Sequence, residues 1–178
     1  WNADGFVDVA IGAPSYKGGC DPTYGERVGR VYVWNGGPAG FGDSGTPANA
    51  DQILAPAGLS NALCYTFPTD GFGAELASAD RTGDGIDELV VSDPGYFHAE
   101  CYPNTIAGQG RVSVFRGGTT GFALSETVRG PTCSSGQCDA DQCGGNTLGE
   151  AMAAGDLDGD DRADLVMSRS SSSSADVV

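Results

Sequence analysis

The 178 residues carry 24 Asp and Glu against 9 Lys and Arg, a formal charge of −15 at pH 7. That balance excludes nucleic acid as a partner, because no basic stripe exists and phosphate backbones would be repelled. No stretch approaches the ~20 apolar residues of a membrane helix, which excludes direct membrane insertion by that route, and 29 Gly with 9 Pro favour short strands and tight turns over helices.

In chain order, the first element is an acidic loop, Asn2 to Asp8, followed by a Val9-Ala10-Ile11 strand and Gly12-Ala13-Pro14. A long loop holding Cys20 leads to Arg30–Trp34, where Val31 and Val33 alternate with Tyr32 and Trp34 at the period of a strand. Asn35-Gly36-Gly37 is expected to supply positive φ angles for a hairpin turn, and residues 35–50 read as a Gly/Pro turn before a further strand. After a loop holding Cys64, Phe72 to Asp80 reads as a strand, then a second acidic loop, then Leu89-Val90-Val91. That continuous apolar run fits a strand covered on both faces. A loop holding Cys101 precedes the strand Val112-Ser113-Val114-Phe115, the turn Gly117-Gly118 and a fourth strand. Cys133, Cys138 and Cys143 follow. Leu148 to Asp156, a third acidic loop and Leu165-Val166-Met167 precede a serine-rich run, Ser170 to Ser174.

These elements repeat. GRVYVWNGGPAGF, starting at Gly29, returns as GRVSVFRGGTTGF 81 residues later at Gly110, and FGAELASAD (Phe72 to Asp80) returns as LGEAMAAGD (Leu148 to Asp156). A unit of ~80 residues with four antiparallel strands has the proportions of a propeller blade. The expected fold is therefore all-β, a partial β-propeller of about two to three blades, divided at 1–68, 69–144 and 145–178. Propellers close with ~4–8 blades. The expectation follows that the chain is a piece of something longer, lacking an inner strand before Trp1 and outer strands after Ser168. Remaining blades, or another copy of the chain, would cover the open sides.

The acidic loops carry the chemistry. In the third, Asp156, Asp158, Asp160 and Asp164 fall at loop positions 1, 3, 5 and 9, with Arg162 offering a backbone carbonyl at position 7. The second keeps the pattern as Asp80, Thr82, Asp84, the carbonyl of Ile86, and Glu88; the first keeps Asn2, Asp4, the carbonyl of Phe6, and Asp8. Alternating carboxylates on a curled loop suit a hard cation that takes ~6–8 oxygen ligands. Calcium is expected, one ion per loop and up to three. Asp-Gly pairs also make ordinary hairpin turns, and an acidic surface also keeps a protein soluble; three loops in register, each followed by an apolar strand, favour the metal. An EF-hand would place a helix after the loop, and here strands follow.

Six cysteines in a chain with one lysine, Lys17, read as disulfides of an oxidising compartment. Zinc would want CxxC pairs or several histidines, and His98 stands alone. Gly42-Asp43-Ser44-Gly45 imitates the surroundings of a protease nucleophile. The single histidine comes after the serine, the wrong chain order for that family, so no enzyme is expected.

Phe72-Gly73 through Pro94, with Gly12-Ala13-Pro14 before it, resembles the FG-GAP repeat of integrin α-subunit propellers, and of secreted or surface propellers of bacterial type. Leu148 replaces the Phe of the motif, Ser92-Asp93 replaces Gly-Ala, and Asp161 stands where glycine is usual, tolerable because Asp visits the left-handed region. The resemblance implies metal loops on the lower face and partner-binding loops, for a protein or glycan ligand, on the upper one. It also implies the pairings Cys20–Cys64 and Cys101–Cys143, leaving Cys133–Cys138. The function it implies is a non-catalytic, calcium-stabilised recognition or adhesion module, extracellular or at the cell surface. The alternative is a propeller accessory or lectin-like carbohydrate-binding module attached to a secreted enzyme.

Overall fold

The computed structural model describes residues 1–17, 28–41, 46–56, 71–96, 109–130 and 147–170. All six cysteines, Ser44 and His98 lie outside the described residues, as do the loops expected on the upper face. Among the described residues there are nine strands, one 3-10 turn at Pro47–Asn49 and no α-helix. Among these residues no helix is long and apolar enough to cross a membrane.

The fold is all-β. Strands β1 (Val9–Ala13), β2 (Arg30–Trp34) and β3 (Gln52–Leu54) form one sheet in that order. Strands β4 (Leu76–Ala79), β5 (Glu88–Asp93), β6 (Arg111–Arg116) and β7 (Ala123–Arg129) form a second, and β8 (Thr147–Gly155) pairs with β9 (Asp164–Ser170) in a third. Every pairing is antiparallel. Three, four and two strands is the count the repeat predicts.

The sheets stack face to face as propeller blades do, and the middle sheet is covered on both sides. Leu89 and Val91 of β5 join Val31, Val33, Leu54, Phe72 and Phe115 in one core. Val90, pointing the other way, joins Val112, Val114, Leu148, Leu165 and Met167 in the second. All six residues of β5 are buried. Phe72 meets Phe115 edge-on at 6.2 Å, an arrangement worth ~0.5–1.5 kcal/mol beyond the area it buries.

Backbone contacts tie each sheet to the next. Gly29 bridges Phe72 and Gly110 bridges Leu148, both in parallel sense. A Cβ on Gly12 would stand 2.0 Å from the carbonyl oxygen of Gly73; only glycine lets the first two sheets approach so closely. The Gln52 side chain crosses the same gap, its amide donating to the Phe122 carbonyl at 3.1 Å and its oxygen accepting the Phe122 N–H at 2.6 Å.

Two features depart from expectation or were not foreseen. Gly36-Gly37 and Gly117-Gly118 do not carry the positive φ of their turns; Gly40 (φ 78°) and Gly121 (φ 99°) do. Gly36 and Gly117 are instead needed for close approach, since a Cβ there would sit 2.2 Å from the Val7 oxygen and 2.3 Å from the Trp1 oxygen. The second feature is a stacked pair beside the β1–β2 and β5–β6 pairings. Arg30 lies 3.9 Å over the Tyr16 ring and Arg111 lies 4.0 Å over Tyr96. In the middle sheet Arg111 also reaches buried Asp93 at 2.6 Å, where Ala13 stands in the first sheet. Burial pushes the Asp93 carboxyl up, against the pull of Arg111 and the Gly71 N–H.

Candidate metal centres

The second acidic loop links β4 to β5, the third links β8 to β9 and the first leads into β1, and the three share one turn geometry. Positions 4 and 6 have positive φ in all of them: Ala3 and Gly5, Gly83 and Gly85, Gly159 and Asp161. Asp161, at φ 64°, occupies the left-handed region expected of it. Ala3, at φ 60°, does so without a polar side chain to help, a conformation that costs an L-residue roughly 1–2 kcal/mol.

Hydrogen bonds curl the second and third loops around their first carboxylates. Asp80 accepts the N–H groups of Gly83 (2.7 Å), Asp84 (3.2 Å) and Gly85 (2.7 Å). Asp156 accepts those of Gly159 (2.7 Å), Asp160 (3.2 Å) and Asp161 (3.1 Å). The position-5 carboxylate accepts the position-7 N–H in every loop: Phe6 to Asp4 at 2.9 Å, Ile86 to Asp84 at 3.0 Å, Arg162 to Asp160 at 2.9 Å. The position-9 carboxylate accepts from position 2: Trp1 nitrogen to Asp8 at 2.7 Å, Arg81 to Glu88 at 2.9 Å, Leu157 to Asp164 at 2.9 Å. Asn2 plays the position-3 part, accepting the Asp4 N–H at 3.1 Å, as Asp158 accepts that of Asp160 at 3.2 Å. The Gly85 N–H, followed by those of Gly83, Asp84 and Thr82, holds the Asp80 carboxyl below its ordinary value. For Asp8, burial pushes upward, but the Trp1 nitrogen and the Gly36 and Asn2 N–H groups outweigh it and the carboxyl ends lower.

The loops differ in how far they are gathered. Asp156, Asp158 and Asp164 bring oxygens within 4.8 Å of one another, the one such acidic trio among the described residues. Oxygens ligating one cation at ~2.3–2.6 Å lie up to about 5 Å apart, so the trio fits. Asp160 stands outside it. In the second loop Asp80, Asp84 and Glu88 are not drawn together to that degree, and exposed Thr82 sits beside them. Glu88 is 2% exposed, and its Oε1 is buried with no hydrogen-bond partner. A buried carboxylate oxygen without a donor is costly, and a cation in the loop would satisfy it. Oxygen donors of this kind suit a hard ion.

Sequence reading missed the cations that border these loops. Arg116 pairs with Asp84 and Arg81 with Glu126. Nothing in the repeat signals either, because Asn35 occupies the place of Arg116 in the first sheet. The Tyr16–Arg30 and Tyr96–Arg111 stacks were findable: each Tyr stands two residues after Pro14 or Pro94, and each Arg opens a G-R-V strand.

No protein-family model matches the chain. It is 30% identical over 167 residues to the phosphatidylinositol-glycan-specific phospholipase D of Mus musculus and to that of Rattus norvegicus. It is 29% identical over 168 residues to the phosphatidylinositol-glycan-specific phospholipase D of Homo sapiens. These matches cover 93–94% of this chain, whereas the chain spans 17% of the length of the curated relatives.

Proposed function

We propose that the chain is a calcium-stabilised, non-catalytic recognition module of the FG-GAP propeller type, working outside the cell or at its surface. The observation that carries this reading is the shared geometry of the three loops, with the Asp156–Asp158–Asp164 trio and the orphaned Glu88 Oε1 as the places a cation would fill. Calcium at each loop would neutralise carboxylates that otherwise repel one another. A protein or glycan ligand would then be held by the loops that the FG-GAP resemblance assigns to the upper face. The outer face of the first sheet, with Ile11 51% and Ile53 45% exposed, is the place for a further blade or a second copy. Calorimetric titration with calcium tests the metal: the reading expects more than one ion per chain, and no binding would defeat it.

The similarity to the phospholipases D favours a second reading of the same module. Because the chain matches only 17% of their length, it would be the propeller part of a larger protein acting on a phosphatidylinositol-glycan, with the hydrolytic groups elsewhere. The chain alone should then leave a phosphatidylinositol-glycan substrate intact. Cleavage by the isolated chain would count against both readings.

A further inference from the structure

The second loop differs from its neighbours in one respect that bears on when it fills. Asp84 Oδ1 accepts the Ile86 N–H at 3.0 Å, while its Oδ2 pairs with the Arg116 guanidinium. Arg116 ends β6 directly across from Glu88 in the β5–β6 register. The loop thus holds one oxygen that lacks any partner, Glu88 Oε1, and another that is already engaged by a cationic side chain. In the first loop the corresponding Asp4 Oδ2 accepts only the Asn2 side-chain amide, at 2.9 Å. Among the described residues no guanidinium pairs with Asp160 of the third.

We infer that Arg116 sets the calcium affinity of the second loop by competing with the ion for Asp84. The inference rests on the reading of these loops as calcium sites. Competition, and not a permanent block, follows from exposure. The Arg116 side chain is 53% exposed, so it leaves for water without stranding a buried charge. A cleft of about 280 Å³ lined by Arg81, Thr82, Glu88, Arg116, Ser125 and Glu126 gives it room to move. A half-exposed ion pair is weak, so the competition is modest and reversible, as a tuning device requires. The second loop then loads at higher calcium than the third, and its orphaned Glu88 oxygen is satisfied only after the arginine withdraws.

Calcium titration by calorimetry of the wild type, Arg116→Gln, Arg116→Lys and the double variant Glu88→Gln/Arg116→Gln tests this. Arg116→Gln should tighten the weaker site about three- to fivefold, the scale of a surface ion pair, and leave the tighter site unchanged. Arg116→Lys keeps the charge and should stay close to wild type. Adding Glu88→Gln should abolish the gain, which assigns it to the second loop. Calcium binding with equal affinities in the wild type and Arg116→Gln would overturn the inference alone. No binding by any of the four would overturn it together with the calcium reading.

Discussion

The N–H of Ala163 donates to the carbonyl of Asp80 at 2.8 Å, joining the third acidic loop to the second. Arg162 lies alongside, its Cγ 3.4 Å from where a Cβ on Gly83 would stand. The two loops are therefore neighbours on one surface, yet their carboxylates are not equally arranged. The gathered trio of the third loop, against the arginine-held Asp84 of the second, predicts tighter calcium binding by the third. Calorimetry on Asp158→Ala and Asp84→Ala checks the ranking. Asp158→Ala should remove the tighter binding event and Asp84→Ala the weaker; equal losses would contradict it.

Acid should loosen the second loop through Asp80. Its carboxyl is lowered in the folded state by the Gly85, Gly83 and Asp84 N–H groups. The folded protein therefore holds fewer protons there than the unfolded chain. The stabilisation is complete above the ordinary carboxylate value of about 3.9 and is lost as pH falls through the lowered folded value. Thermal unfolding without calcium across that range should fall less steeply for Asp80→Asn than for the wild type. Parallel profiles would count against the assignment.

The buried Asp93–Arg111 pair should be costly to break and tolerable to replace. Arg111→Ala leaves the fully buried Asp93 carboxylate without its cation, which costs roughly 3–5 kcal/mol. Asp93→Ala/Arg111→Met removes both charges, and Ala13 shows that the first sheet manages with an alanine there. Urea denaturation should find the double variant markedly more stable than Arg111→Ala. The reverse order would show that the pair does not act as a unit.

Close approach between blades is tested at Gly12. A methyl group there collides with the Gly73 carbonyl at 2.0 Å, and both neighbours are backbone, so the sheets must separate. Gly12→Ala should cost about 3 kcal/mol. Gly155, with nothing within 4 Å of its would-be Cβ, serves as control, and Gly155→Ala should be neutral or slightly stabilising. Similar denaturation midpoints for the two variants would refute the argument.

Much of this arrangement was legible because a repeat compares a sequence with itself. Strand count, strand order, the three loops and the left-handed Asp161 all follow from aligned spacing and residue type. Spacing does not report what crosses between strands. The spacing of Gly36 and Gly117 reads as turn geometry, whereas their role is to admit the backbone of Val7 and Trp1. Ala3 gave no sign of its positive φ, since the loop imposes a conformation its side chain disfavours. Glu88 looked like an ordinary ninth ligand; its burial depends on the sheet packed around β5. Arg116 reaches Asp84 from a strand 32 residues away, a contact no local pattern encodes.

The central claim is that calcium holds this fold together, and thermal unfolding in calcium against a chelator tests it most directly. Binding to the native state alone adds about 2.7 kcal/mol per site at a hundredfold excess over Kd. For a domain of this size that corresponds to roughly 5–10 °C per occupied site. Calcium should raise the melting temperature by at least that amount, and magnesium should substitute poorly because it resists giving up water to an irregular cage. The same melting temperature in calcium and in chelator would contradict the account.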